Sequence, residues 1–212
     1  MRKNNYIVIE GNIGAGKTTL AKMMAEKVGA RFIQERYLDN PFLPKFYDNP
    51  EKYSFAAELS FLAARYQQLN EELSNRDLFQ PLTIADYYPM KSLIFSRANL
   101  SDDEYHLFRR IFDIVSANIV KPDLYIYLHM SLDKLISNIK NRGRFYEQSI
   151  QKDYLIKIHD GYMDFFKKQN DLTIVMIDAN DLDFYNKETD FEKIKDIILN
   201  KEYALGVNKV IP

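Results

Sequence analysis

The chain has 212 residues, with 29 Lys and Arg against 30 Asp and Glu, a formal net charge of −1 and no cysteine. That length suits one α/β domain with a sizeable core. The charge balance offers no global basic field for nucleic acid or an anionic membrane, and the lack of cysteine excludes disulfides, thiolate metal sites and a cysteine nucleophile. His106, His129 and His159 are too scattered to suggest a metal cluster. The N-terminus enters an apolar strand at once, without the long apolar region of a signal peptide, and no apolar run is long enough to span a bilayer. The expectation is a soluble cytoplasmic protein with neither nucleic acid nor membrane as partner.

Residues 6–10 form a short apolar run of the kind found at the centre of a parallel sheet. Next comes Gly11-Asn12-Ile13-Gly14-Ala15-Gly16-Lys17-Thr18, which fits the P-loop pattern, and then a helical pattern over 19–28 that Gly29 stops. Glycines let backbone N–H groups curl around an anion without Cβ clashes, and the new helix points its positive end at that anion. Lys17 adds a point charge for the β- and γ-phosphates, and the Thr18 hydroxyl can hold Mg²⁺. Thr19 is grouped with the loop as part of the same ATP site. Residues 31–35 read as a second strand ending in Glu35, and 40–50 as a loop with aromatic content. A long helix over 54–74 carries an apolar stripe through Phe55, Leu59, Leu62 and Leu69. Residues 81–86 are a short buried strand ending in Asp86. Helices follow over 90–97 and 102–119, the second opened by a Ser101/Glu104 capping box. A strand over 123–129, a helix over 131–141, the break Arg142-Gly143-Arg144 and a helix over 152–169 come next. A fifth strand over 172–177, a loop over 179–184 and a helix over 191–199 complete residues 1–200, read as one domain. The tail, 201–212, reads as poorly ordered.

Alternation of strands and helices predicts an α/β fold with about five parallel strands flanked by helices. In such sheets ligands bind beyond the carboxyl ends of the strands, where the P-loop, Glu35 and Asp86 all fall. Glu35 there can take a hydroxyl proton from an acceptor, or can sit in a surface ion pair. Asp86 suits Mg²⁺, directly or through water. Arg142 and Arg144 flank a glycine at a helix break, where mobile arginines can stabilise a transferring phosphoryl group; the plain alternative is a solvated basic helix end. Glu58 is a carboxylate on an otherwise apolar helix, costly to bury unpaired. Arg65 lies two turns along the same face, roughly 10 Å away, suited to reaching into the same pocket.

These residues resemble those of the deoxynucleoside kinases, especially the bacterial deoxyadenosine and deoxyguanosine kinases, over essentially the whole chain. The resemblance implies a P-loop kinase with an arginine-bearing lid, ATP and Mg²⁺ as cofactors, a deoxynucleoside substrate and a homodimer packed through helices. Glu35 stands where the family has its general base. Tyr47, eleven residues before Glu58, stands where it has a tyrosine on the sugar 3′-hydroxyl. Glu58 and Arg65 fall where it has a base-reading glutamine and an arginine seven residues later, so that Glu58 departs from the pattern and Arg65 keeps it. Phe95 resembles the phenylalanine that stacks on the base. Arg142, Arg144 and Glu147 resemble the lid, its glutamate also on the 3′-hydroxyl. The segment 178–184, with Asp181, resembles the loop that cradles the adenine of ATP. Where the family has an acidic residue followed by arginine, Asp86 is followed by Tyr87, and Lys91, roughly one helical turn on, stands in for the missing charge. A carboxylate at position 58 accepts only, which favours guanine with its adjacent N1–H and 2-amino donors. The alternatives are a nucleoside monophosphate kinase of the thymidylate kinase type, with Arg36 and Arg65 on the substrate phosphate, and a nucleotide-binding switch. The switch would need an Asn-Lys-x-Asp motif, and Asn186-Lys187-Glu188-Thr189 lacks its aspartate.

Overall fold

The computed structural model describes residues 5–36, 40–74, 82–117 and 119–212. Among these residues six strands form one wholly parallel sheet in the order β2-β3-β1-β4-β5-β6. They are β1 (Tyr6–Gly11), β2 (Arg31–Ile33), β3 (Thr83–Ala85), β4 (Leu124–His129), β5 (Thr173–Asp178) and β6 (Gly206–Val210). The helices are α1 (Lys17–Val28), α2 (Leu43–Asp48), α3 (Pro50–Ser74), α4 (Lys91–Asn99), α5 (Asp102–Ser116), α6 (Leu132–Arg142), α7 (Lys152–Lys167) and α8 (Glu188–Asn200).

The period-two geometry of a strand splits the sheet residues between two cores. Ile7, Ile9, Ile84, Ile126, Leu128, Val175 and Ile177 pack with Leu20 and Met24 of α1, Leu135 and Ile139 of α6 and Ile194 of α8. Tyr6, Val8, Tyr125, Tyr127 and Ile174 pack with Leu69 of α3, Ile94 of α4 and Tyr162 and Phe166 of α7. Both faces are therefore covered, which is why β1 and β4 read as largely apolar runs. No helix among the described residues is long and apolar enough to cross a membrane.

Three expectations need correction. The sheet has six strands, because the tail is not loose: Gly206–Val210 pairs with β5 in parallel, from Gly206 opposite Thr173 to Val210 opposite Ile177. The presumed loop 40–50 contains α2, with Leu43 and Phe46 buried, and α3 starts at Pro50 rather than at residue 54. Proline is favoured in the first helical turn, where its missing N–H has no intrahelical partner to lose. Glu35 and Asp86 lie just past β2 and β3 rather than within them. Residue 81 of the expected third strand and residue 118 of the expected helix 102–119 lie outside the described residues. The capping box at α5 is present, the Ser101 N–H donating to Glu104 Oε2 at 3.0 Å.

Candidate active site

Between β1 and α1 the chain makes a tight loop that its glycines permit. Gly14 and Gly16 have φ of 84° and 80°, in the left-handed region. A Cβ on Gly14 would lie 2.7 Å from Leu135 O, and one on Gly16 2.8 Å from Phe184 Cζ. Asn12 fastens the loop from inside: its Nδ2 donates to Leu155 O at 2.8 Å and its Oδ1 accepts the Ile13 N–H at 2.8 Å. Lys17 Nζ donates to Asn12 O at 2.9 Å, across the loop. Burial lowers the Lys17 pKa to about 8, with Lys91 acting in the same direction against the carboxylates of Glu10, Glu35 and Asp86.

Strands β2 and β3 bring two carboxylates beside this loop. Asp86 accepts the Thr18 hydroxyl through Oδ2 and the Glu35 N–H through Oδ1, the latter at 2.7 Å. Burial pushes the Asp86 carboxyl upward, the Thr18 hydrogen bond opposing it. Glu35 is bracketed by cations. Its Oε1 accepts from Arg65 Nε at 2.7 Å and its Oε2 from Lys91 Nζ at 2.9 Å. Burial alone would raise the Glu35 pKa; Lys91 and Arg65 more than offset it and hold the carboxyl at about 2. Lys91 and Arg65 are thus the cations on Glu35, beside the fully buried Tyr87. Lys91 also lies 3.9 Å from Glu10, a fully buried carboxylate at the end of β1 that accepts the Tyr88 N–H and the Tyr162 hydroxyl, each at 2.9 Å.

A cleft opens above these groups, with about 870 Å³ of space between atoms, part of it continuous with solvent. Lys17, Thr18, Glu35 and Asp86 line one end, and Tyr47, Glu58, Arg65 and Phe95 line the walls. Lys91, Phe95 and Asn99 recur every four residues on α4 and all reach the cleft. Glu58 is 4 % exposed. Its Oε1 accepts from Asn99 Nδ2 at 2.6 Å; its Oε2 is buried with no hydrogen-bond partner among the described residues. Burial raises the Glu58 pKa to about 7, against the opposing pull of Arg65 and Asn99. The third wall is the segment after α6. Arg142 and Arg144 both donate to the carboxylate of Glu147, Arg144 at 3.1 Å, and the ring of Tyr146 lies 5.5 Å from that of Tyr47.

The structure therefore gathers Ile13, Lys17, Thr18, Glu35, Tyr47, Glu58, Arg65, Asp86, Phe95, Arg142, Arg144 and Glu147 around one cleft. Gly11, Asn12, Gly14, Ala15 and Gly16 form the loop beneath it, and Thr19 sits half-buried in the first turn of α1. Asp181 is exposed, in the turn after β5, outside the lining of this cleft.

Comparisons agree with this geometry. A family model for deoxynucleoside kinase matches residues 7–202. The chain is 40 % identical over 195 residues to a deoxyguanosine kinase of Bacillus subtilis (strain 168), covering 89 % of this chain and 93 % of that protein. It belongs to the deoxynucleoside kinase family. A deoxyadenosine kinase of Lactobacillus acidophilus is 29 % identical over 206 residues, covering 90 % of this kinase and 94 % of the relative. Among solved structures, a deoxyadenosine kinase from M. mycoides with bound dATP superposes with a TM-score of 0.79 at 28 % identity, over 92 % of this kinase and 99 % of that chain. This is accordingly an α/β P-loop enzyme that phosphorylates a nucleoside, using a nucleotide as phosphate donor.

Several residues of the kinase site escape a reading of the sequence. Glu10 looks like the last residue of an apolar strand, yet it anchors Lys91 from beneath. Asn99 holds Glu58, and Ser92 accepts from Arg65 at 2.8 Å. The four-residue spacing of Lys91, Phe95 and Asn99 is the signal that could have found the α4 face. Nothing short of the fold pairs Glu10 with Lys91.

Proposed function

We propose that this kinase transfers the γ-phosphoryl group of ATP to the 5′-hydroxyl of a purine deoxynucleoside, deoxyguanosine ahead of deoxyadenosine, in nucleotide salvage in the cytoplasm. The observation that carries the base preference is the unpartnered, buried Oε2 of Glu58 in the wall of the cleft that holds Lys17, Thr18 and Glu35. An ionised carboxylate there meets the N1–H and 2-amino donors of guanine, whereas adenine sets an acceptor against it. The name of the 40 % identical relative supports the same base.

In this reading the P-loop amides and Lys17 hold the donor phosphates, and the loop needs its glycines to approach them. Thr18 and Asp86 offer adjacent hard oxygen donors, which fit Mg²⁺. When bound, that ion neutralises and orients donor phosphate oxygens. Glu35 orients the 5′-hydroxyl and accepts its proton as the new P–O bond forms. Arg142 and Arg144 close over the transferring group and exclude water. Tyr47 and Glu147 hold the 3′-hydroxyl, Phe95 covers the base, and Arg65 keeps Glu35 in place. A homodimer packed through the α3 and α5 region belongs to this reading; α5 turns Leu107 and Ile114 outward.

The monophosphate-kinase alternative loses its cations. Arg36 is exposed and 3.6 Å from Glu72, and Arg65 is committed to Glu35 and Ser92. An acceptor panel of all deoxynucleosides and their monophosphates with ATP decides the matter, with deoxyguanosine expected to give the highest kcat/KM. A faster monophosphate, or no transfer to any nucleoside, would sink the reading.

Two pH dependences follow. Deoxyguanosine requires ionised Glu58 and adenine a protonated one, and the carboxyl titrates at about 7. The ratio of kcat/KM for deoxyguanosine over deoxyadenosine should therefore rise with pH between 6 and 8, by up to about tenfold per unit. A flat ratio would remove Glu58 from base recognition. Lys17 must be charged to hold phosphate and titrates at about 8 in the free enzyme. At saturating acceptor, kcat/KM for ATP should fall above pH 8, approaching about tenfold per unit. A profile level to pH 9.5 would mean that Lys17 is not the group that binds the donor.

A further inference from the structure

On the proposed reading, the strand order bears on which way the phosphate donor runs. The P-loop follows β1 at the middle of the sheet, and the acceptor cleft takes Glu35 and Asp86 from the ends of β2 and β3 on one side of it. A donor whose terminal phosphate faces that cleft extends the other way, over β4 and β5. There the turn after β5 leans on the P-loop, with the Phe184 ring against Gly16. Three carbonyl oxygens of this turn converge on one cation: Lys134 Nζ donates to Ala179 O at 2.9 Å, Asn180 O at 2.6 Å and Leu182 O at 2.9 Å.

An ammonium has three donors, so these bonds saturate it and leave Lys134 no hydrogen for a substrate phosphate. Converging carbonyl dipoles repel one another without a cation between them, and the turn's shape depends on this side chain. Lys134 stands on α6, and its neighbours on the same helical face reach the rest of the donor site. Asn138, one turn on, donates to Gly14 O of the P-loop at 2.8 Å, and Gly14 packs directly on Leu135 O. Arg142, one turn further, pairs with Glu147. Residues spaced by four on a helix share a face. One face of α6 thus ties together the turn after β5, the P-loop and the lid arginines.

We infer that Lys134 is a positioning residue for the phosphate donor: it shapes the 179–182 turn into the seat of the donor's base, in fixed register with the P-loop. The inference rests on the reading that the donor is a nucleoside triphosphate.

The test compares the full-length wild type with Lys134→Met and Lys134→Arg. Initial rates give KM for ATP at saturating deoxyguanosine, and competition against ATP gives Ki for inorganic tripolyphosphate, which has the phosphates but no base. Lys134→Met is expected to raise the ATP KM about tenfold or more, leaving kcat within about threefold and the KM for deoxyguanosine and the tripolyphosphate Ki within about twofold. Lys134→Arg, which keeps a cation, should recover most of the loss. Should Lys134→Met fail to fold, Lys134→Gln is put through the same comparison, with the same outcome expected. An unchanged ATP KM overturns the inference, and so does parallel weakening of ATP and tripolyphosphate, which would mark general damage to the P-loop. Wild-type protein that transfers no phosphate from ATP overturns the donor reading itself, a result distinct from a wild type that uses ATP while Lys134→Met uses it equally well.

Discussion

Glu35→Gln is expected to lower kcat by about three orders of magnitude while the KM for the deoxynucleoside changes within about threefold. A side-chain amide cannot accept the hydroxyl proton, but it can still hydrogen-bond the hydroxyl. The low pKa of Glu35, about 2, does not disqualify it. Phosphoryl transfer is largely positioning and charge stabilisation, and the hydroxyl becomes acidic only as its oxygen bonds to phosphorus. A carboxylate held ionised by Arg65 and Lys91 is a weak base that is always in the correct form, so no acid limb from Glu35 should appear above about pH 4. The substitution has a second cost. Arg65 and Lys91 are both about 5 % exposed and would lose their shared counter-charge, Lys91 keeping Glu10 at 3.9 Å. Breaking a buried pair typically costs a few kcal/mol, about 3–5. Tm should therefore fall as well, and Glu35→Asp separates the effects: it restores the charge, and most of the stability, with a carboxylate one methylene short of the hydroxyl. If Glu35→Gln, still folded, turns over at a rate near that of the wild type, Glu35 is not the proton acceptor.

What the sequence shows of this kinase is what the chain encodes locally. β1 and β4 are legible because burial on both faces makes nearly every residue apolar, Glu10 being the buried exception, and the P-loop because phosphate cradling demands glycine at fixed offsets. β6 is not, because an edge strand of alternating half-buried and exposed residues is held mainly by backbone bonds to β5, which no side chain announces. Asn40 to Pro50 reads as a loop because three prolines (Pro41, Pro44 and Pro50) and polar residues mask a helix of six residues. The site divides in the same way. Glu35 and Asp86 stand out as carboxylates at strand ends and Glu58 as one on an apolar helix, but their partners are a matter of topology. Glu35 meets Arg65 from thirty residues along the chain and Lys91 from fifty-six. Glu58 is held by Asn99, forty-one residues away, because α3 and α4 pack side by side.

Glu58→Gln is expected to invert the base preference, moving the ratio of kcat/KM for deoxyguanosine over deoxyadenosine by about three orders of magnitude toward deoxyadenosine. An amide presents one donor and one acceptor, the complement of adenine's amino group and ring nitrogen. Guanine would then lose one acceptor and find a donor in its place. A mismatch of this kind in a buried site costs a few kcal/mol, and here the change acts in opposite directions on the two substrates. Stability provides an independent check. The Glu58 carboxyl is raised from 4.5 to about 7 in the folded protein, so the fold holds its proton more tightly than the unfolded chain does. Its contribution to stability is fully present below about pH 4.5 and is lost as pH rises through 7, a swing on the order of 3 kcal/mol. Glutamine has no such titration. Glu58→Gln should therefore raise Tm by several degrees at pH 8 and flatten the fall in Tm between pH 5 and 8. Both results follow from one fact of the structure, that Asn99 caps one oxygen of Glu58 and nothing among the described residues caps the other. A variant that keeps deoxyguanosine as its best substrate, with an unchanged Tm profile, would show that this oxygen neither reads the base nor bears the cost of burial.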